Sequence, residues 1–406
     1  MKSFLILLCL TTVLFSQNSY FVSKKGKDSN RGTIKRPFKS LKKAISLVEA
    51  GDTIYIRSGR YPIYNRVYVK GEQDKPITIQ AYKNEKVVFI GSYGKDKIYN
   101  LNQNASHDSF IVTGSWLIFR NLEFKNGTTA LHIKSNASHN RFENLSIHDN
   151  YYSSLVLTDG ASDNTIINCD AYHNFDSNSK GQHADGFVIV GHKREKTPHI
   201  GKGNMFINCR SWGNSDDGFD CWQSGNPVIF INCLSYENGH DIWKKSKEFK
   251  GDGNGFKLGV HNRYGHMQDA HIVINCKAWR NNSRGFDYND NEVAITMFRN
   301  ISWKNKNSGY KFRRANHNLI QNINIESGDN YLSKDIYEEG NSWNKRDYNI
   351  KEEIISFDDK SIKAKRDKKG QIDPKGFLEL KSDSLFFEKE TTQKYDRLMH
   401  LMFKIY

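Results

Sequence analysis

The stretch FINCRSWGN (residues 206–214) returns as FINCLSYEN (230–238) and again as VINCKAWRN (273–281). Looser copies extend it both ways. FRNLEFKN (119–126), FENLSIHDN (142–150) and IINCDAYHN (166–174) precede it, and FRNISWKN (298–305) and IQNINIES (320–327) follow. The leading Asn of each copy, at 121, 144, 168, 208, 232, 275, 300 and 322, gives steps of 23, 24, 40, 24, 43, 25 and 22 residues. Self-similarity at a period of about 20–50 residues marks a solenoid with one coil per step. The two long steps are coils that carry insertions.

Within each copy apolar and polar residues alternate, β-branched and aromatic residues dominate, and Gly and Asn interrupt the runs, as strands do. No copy holds a helical run, which excludes leucine-rich and helical repeats. The expected fold class is all-β: a right-handed parallel β-helix with about three short strands per coil and coils stacked about 4.8 Å apart. Residues recurring at one coil position then form columns along the axis. The Asn column reads as an amide ladder at a turn, each side chain bonded to its neighbour and the backbone. Cys169, Cys209, Cys233 and Cys276 each follow a ladder Asn, which makes them an inward column of packed thiols. They lack the C-x-x-C spacing of a zinc site.

The chain opens MKSFLILLCLTTVLFSQNS: a Lys, an apolar run of about a dozen residues, then small polar ones, the pattern of a secretory signal peptide. Residues 1–16 are assigned to it, and export to the periplasm or the medium is expected. No later stretch is long enough to span a bilayer. The β-helix domain is expected over 17–330, with the cap and first coils over 17–100. There Ser40 to Ala50 reads as a short amphipathic helix, followed by a turn at Gly51 and a strand from Thr53 to Arg57. Beyond about residue 330 the periodicity stops. Residues 331–406 are expected to pack along the solenoid flank as loops and one or two helices, because FLELKSDSLFF and YDRLMHLMFKIY carry apolar faces. A hydrophobic content of 37% suits a thin core, and a net charge of +15 suits a polyanionic partner. Nucleic acid would satisfy the charge equally, but no nucleic-acid-binding module is present.

A small-aromatic pair opens one strand of most coils: Gly186-Phe187, Gly218-Phe219, Gly255-Phe256, Gly285-Phe286 and Gly309-Tyr310, with Ala130-Leu131 and Ser154-Leu155 as earlier equivalents. If the aromatic points inward, the next residue points outward. That outward column reads His132, Val156, Val188, Asp220, Lys257, Asp287, Lys311. The residues before each Gly are Asp185, Asp217, Asn254, Arg284 and Ser308, and Asp216 flanks Asp217. Asp185, Asp216, Asp217 and Asp220 therefore converge on adjacent coils. Such carboxylates repel one another unless a cation joins them, and Ca²⁺ suits clustered carboxylate oxygens better than Mg²⁺. The alternative is that these Asp residues cap separate turns. Lys257 lies one coil beyond Asp220, where neighbouring cations would ease loss of its proton and make it a base. The alternative is a solvated surface Lys.

HADGF, SDDGFD and GNGFKLG, set within NC-x-A/S-W/Y-x-N coils, resemble the family 9 polysaccharide lyases, pectate-lyase-like β-helix enzymes. FVSKKGKDSNRGT, PFKSLKKAI and GDTIYIRSGRY are similar to their opening coils, and the resemblance spans about residues 20–330. It implies a catalytic Ca²⁺ on Asp185, Asp216, Asp217 and Asp220, with Lys257 as the base. It also implies an acidic, uronate-containing polysaccharide as substrate: homogalacturonan, or rhamnogalacturonan for some members. Arg284, Arg313 and Asn254 are candidate substrate contacts beside that site, and a monomer is expected. Two rivals stand beside this assignment. A β-helix hydrolase would use paired carboxylic acids such as Asp216 and Asp217, although the polygalacturonase motif set is absent. A secreted non-catalytic carbohydrate-binding β-helix would need no base.

Overall fold

Each repeat folds as strand, tight turn, strand, turn, strand, and stacks on the next in parallel register. The computed structural model describes residues 17–83, 85–92, 109–191, 200–244, 248–260, 269–345, 348–384 and 386–387. The expected signal peptide at 1–16, Lys245 and Lys247 of the 239–253 insertion, and YDRLMHLMFKIY lie outside these residues. The described strands form three parallel sheets of twelve, ten and ten strands. The long sheet runs from Ser19–Val22 to Tyr337–Glu339, the flank sheet from Gly59–Pro62 to Ile323–Ile325, and the cleft sheet from Asn65–Val67 to Tyr331–Leu332. The fold is the right-handed parallel β-helix.

One coil shows why the sequence folds this way. Asn204–Ile207 joins the long sheet, Asn208 turns the chain with φ 52°, Arg210–Trp212 joins the flank sheet, and Phe219–Asp220 joins the cleft sheet. Asn tolerates the left-handed region better than most residues, and Asn121, Asn144, Asn168, Asn232 and Asn275 hold the same turn with φ between 52° and 59°. Phe206, Cys209 and Phe219 are fully buried in the thin core. Gly218 is small of necessity, since a Cβ there would lie 1.9 Å from Ser235 Oγ.

The amide ladder is built from a different column than expected. Asn150, Asn174, Asn214, Asn238, Asn281 and Asn305 are buried, and each of the first five donates its amide to the next Asn Oδ1 at 2.7–3.0 Å. These are the second Asn of the six copies from 142–150 to 298–305. The leading Asn serves mainly as the turn residue, with one ladder-like bond from Asn144 to Asn121 at 3.1 Å. The register also shifts in the last copies. Ile274 pairs with Phe298, so Arg299 and Gln321 take the left-handed slot at φ 55° and 52°. Asn300 and Asn322 instead continue the inward Cys column, where Asn300 donates to Asn322 at 3.0 Å and Asn322 to Asn341 at 3.2 Å. Cys169, Cys209, Cys233 and Cys276 are buried free thiols.

The N-terminal cap helix is shorter than Ser40 to Ala50. It covers Leu41–Ile45, capped by Ser40, whose Oγ accepts from Lys43 N at 3.2 Å. Asp52 draws the following chain into a turn by accepting from Glu49 N at 3.0 Å. The strand after Gly51 runs Thr53–Ile56. At the other end, Tyr331–Leu332 and Tyr337–Glu339 still pair with the last coils, so the sheets run past residue 330. The following chain, with a short helix at Lys360–Lys363, packs on the flank sheet. Trp279, Trp303, Ile323, Ile362, Phe377 and Leu378 share one buried cluster there. Arg210 anchors it, donating to Asp170 at 2.8 and 2.6 Å and to the Ile362 carbonyl.

Candidate active site

The outward column of the cleft sheet has the register its alternation predicts. Val188 pairs with Asp220, Asp220 with Lys257, Lys257 with Asp287, and Asp287 with Lys311. Behind it the ring column Phe187, Phe219, Phe256, Phe286, Tyr310 stacks at 4.7–5.1 Å and holds the strands in register.

Asp185, Asp216 and Asp217 come together: each offers an oxygen within 4.8 Å of the others, and all three are buried. Backbone amides clamp one oxygen of each. Asp217 N donates to Asp185 Oδ1 at 2.9 Å, Asp252 N to Asp216 Oδ1 at 2.7 Å, and Asn254 N to Asp217 Oδ1 at 2.6 Å. Asp220 is buried beside them, and its Oδ1 has no hydrogen-bond partner among the described residues. Lys257 Nζ lies 3.0 Å from Asp217 Oδ2, 3.3 Å from Asp220 Oδ2 and 3.9 Å from Asp252 Oδ2.

The electrostatics follow from crowding. Burial, then Asp220 and Asp217, pushes the Asp185 carboxyl well above the usual range. Burial, then Asp217 and Asp185, does the same to Asp216. Burial, partly offset by Lys257 and reinforced by Asp217, pushes Asp220 up to about 6. Burial opposes the charge of Lys257, but Asp217, Asp220, Asp216 and Asp185 together hold it well above the ordinary lysine range. A single ammonium among four carboxylates leaves negative charge unbalanced. Four carboxylates, three with one oxygen already clamped and one with an orphaned oxygen, fit a hard divalent cation such as Ca²⁺.

The model for the Pel9A-like right-handed β-helix region matches residues 20–330. The chain belongs to that family. Pectate lyase L of Dickeya dadantii is 30% identical across 95% of this chain and 88% of its own. Among solved structures, pectate lyase Pel9A is 29% identical with a TM-score of 0.77, covering 91% of this chain and 90% of that one. A rhamnogalacturonan lyase is 28% identical with a TM-score of 0.73, covering 90% and 97%. This Pel9A-like chain is a polysaccharide lyase, which sets aside the hydrolase and binding-module alternatives.

The other candidate residues of this Pel9A-like lyase are placed unevenly. Asn254 shares the column of Asp185 and Asp217. It is buried behind Asp217, and its Nδ2 donates to Asp217 Oδ1 at 2.9 Å, so it holds a carboxylate in place. Arg284 borders the cluster with its fork partly exposed, Nη1 lying 3.1 Å from Asp287 Oδ2. Arg313 is exposed one rung further along, its guanidinium over the Tyr331 ring at 5.4 Å. Asp252 was not among the sequence candidates. It comes from the insertion between Gly239 and Gly253, whose length hides its register, so no column signal marks it. Asp287 does stand in the outward column, where alternation of charge with Lys257 and Lys311 is the signal. Lys311 Nζ lies 3.5 Å from its Oδ1.

Proposed function

We propose that this chain is a secreted, monomeric lyase that cleaves a uronate-containing pectic polymer, polygalacturonate foremost, by calcium-assisted β-elimination with Lys257 as the base. The buried cluster of Asp185, Asp216 and Asp217, with Asp220 buried beside it and Lys257 on the rung adjoining Asp220, carries this reading. Calcium on the four Asp residues would bind a substrate carboxylate and stabilise the negative charge that develops beside it. A cation held by Asp217 and Asp220 would compete with Lys257 for those carboxylates and so favour the neutral form of the lysine. Lys257 then takes the C5 proton of the uronate. The C5–H electron pair becomes the C4–C5 double bond, and the C4–O bond breaks toward the leaving sugar. Arg284 turns a planar fork toward a substrate carboxylate, Arg313 serves an outer subsite, and Asn254 keeps Asp217 oriented. Secretion rests on the leader-like residues 1–16; among the described residues no helix is long and apolar enough to cross a membrane.

A second substrate, rhamnogalacturonan, is favoured by the rhamnogalacturonan lyase whose structure matches nearly as well as Pel9A. One experiment tests both. Polygalacturonate, rhamnogalacturonan and alginate are incubated with the protein, with and without calcium, and the ultraviolet absorbance of the unsaturated sugar is followed. Absorbance should rise on one pectic polymer and stop on chelation. Full activity after exhaustive chelation, with no metal in the protein, would end the calcium reading.

A further inference from the structure

The flank sheet carries an outward column of its own: Lys125, His148, Tyr172, Trp212, Tyr236, Trp279 and Trp303 pair in unbroken register. The rings stack nearly parallel, His148 on Tyr172 at 4.5 Å and Tyr172 on Trp212 at 4.3 Å. The C-terminal extension buries Tyr236, Trp279 and Trp303. It then leaves the sheet, and residues 363–370 stand as a wall beside the earlier rungs. Between wall and sheet lies a groove of about 710 Å³. Its floor holds Tyr172 and Trp212, both partly exposed at their ring edges because their faces are stacked.

Charge in this groove is lopsided. Its carboxylates are already occupied, Asp367 on the wall by the backbone amides of Lys369 and Gln371 and the others by cations. Asp170 is held by Arg210 and Arg366, Glu123 by Lys86 and His148, and Glu85 by Arg57. Lys83, Lys125, Lys365 and Lys368 line the same groove with no carboxylate in ion-pair contact among the described residues. Lys365 and Lys368 on the wall face the partly exposed Lys125 and ring edges on the sheet. From Lys125 to Trp212 is three coil steps, on the order of 14 Å.

We infer that this flank groove is a second binding site for an acidic, uronate-containing oligosaccharide, separate from the cleft and without a metal. Unpaired ammonium groups answer a carboxylate repeated along a sugar chain, and ring edges with Tyr and Trp polar atoms suit the ring hydroxyls. The cluster of Asp residues lies on the cleft sheet, a different face of the solenoid. One polymer engaged at both faces would be retained between cleavage events through effective concentration. The inference rests on the uronate-polymer function proposed above.

The test is calorimetric titration of the Lys257→Ala protein, which cannot turn substrate over, with a short saturated oligogalacturonate. With calcium, two molecules should bind per chain. With chelator, one should remain, and the combined variant Lys125→Ala, Lys365→Ala, Lys368→Ala should weaken that remaining site at least about tenfold with an unchanged melting temperature. These lysines hold no buried contact, so folding is not at stake. Binding lost completely on chelation, or a chelator-resistant site untouched by the triple variant, would overturn the second site while leaving the cleft intact. Loss of the calcium-dependent site alone would count against the proposed function and leave the groove standing. Equal competition by a single-stranded oligonucleotide would overturn the uronate assignment in favour of a general polyanion surface.

Discussion

Lys257 and Asp220 stand opposite each other on adjacent coils, paired in register with Nζ 3.3 Å from Oδ2. Asp217 closes on the same ammonium at 3.0 Å. In this arrangement the lysine is a counter-ion. Its proton is held by the same carboxylates that would ligate a cation, so a cation bound there would compete with the ammonium for them. Neighbouring cations, a bound calcium and Arg284, are what the sequence reading expects to ease loss of that proton; the four carboxylates by themselves hold Lys257 well above the ordinary lysine range.

Lys257→Ala should lower kcat by about 10²–10⁴-fold, the usual contribution of a general base. Calcium affinity should hold or tighten, since the variant removes a competing ammonium. Lys257→Arg should fail equally, because a guanidinium stays protonated at any working pH. Turnover and calcium titration of both variants check this, and an Ala variant retaining more than about a tenth of wild-type kcat would rule out Lys257 as base.

Asn254→Ala removes the 2.9 Å bond to Asp217 Oδ1 and leaves the backbone bond at 2.6 Å. A hydrogen bond to a charged group is worth about 1.5–3 kcal/mol, so calcium should bind at least about tenfold more weakly. Saturating calcium should restore most of kcat. If instead the polymer KM rises while calcium affinity stays constant, Asn254 contacts substrate as its motif position suggested.

Arg284→Ala should cut kcat/KM by at least about tenfold, equivalent to about 1.4 kcal/mol, with little change in melting temperature because the side chain is partly exposed. Arg284→Lys should not rescue it, since an ammonium cannot reproduce the bidentate fork. Steady-state kinetics on the preferred polymer decide the matter, and unchanged kcat/KM would remove Arg284 from the site.

His271 and His317 should make the solenoid acid-sensitive. Burial lowers His271 to about 3 and His317 to about 4, and each Nδ1 accepts a backbone N–H at 3.1 Å. Both imidazoles are neutral when folded but titrate near 6.5 when unfolded. Their stabilisation is present above about pH 6.5 and is lost as pH falls toward the folded values, by up to about 1.4 kcal/mol per unit for each. Asn140, Asn164 and Asn204 accept at the same column position in earlier coils without titrating. The double variant His271→Asn, His317→Asn should therefore lose less melting temperature between pH 7 and 5 than wild type, measured with calcium present. Equal slopes would disprove the assignment.

Much of the site was legible because strand alternation has a period of two and each coil resets the register. Those rules alone place Asp220, Lys257, Asp287 and Lys311 in one outward column. They cannot say what a side chain does within its column. Asn254 shares a column with Asp185 and Asp217, yet whether its amide faces substrate or a carboxylate depends on packing between rungs. Asp252 enters from an insertion, where no period carries a register across.

The sequence by itself determined the solenoid and the inward columns of rings and thiols, since hydrophobic alternation and recurrence are properties of the chain read locally. The tertiary structure decided which Asn does which job. Asn suits both a left-handed turn and a buried amide ladder, so the letter is ambiguous, and only strand pairing showed Arg299 and Gln321 in the turn slot and Asn300 and Asn322 in the core. It likewise decided how far the C-terminal extension covers the flank sheet. That boundary is set by long-range contacts such as Arg210 with Ile362, between residues far apart in sequence, and no local pattern encodes it.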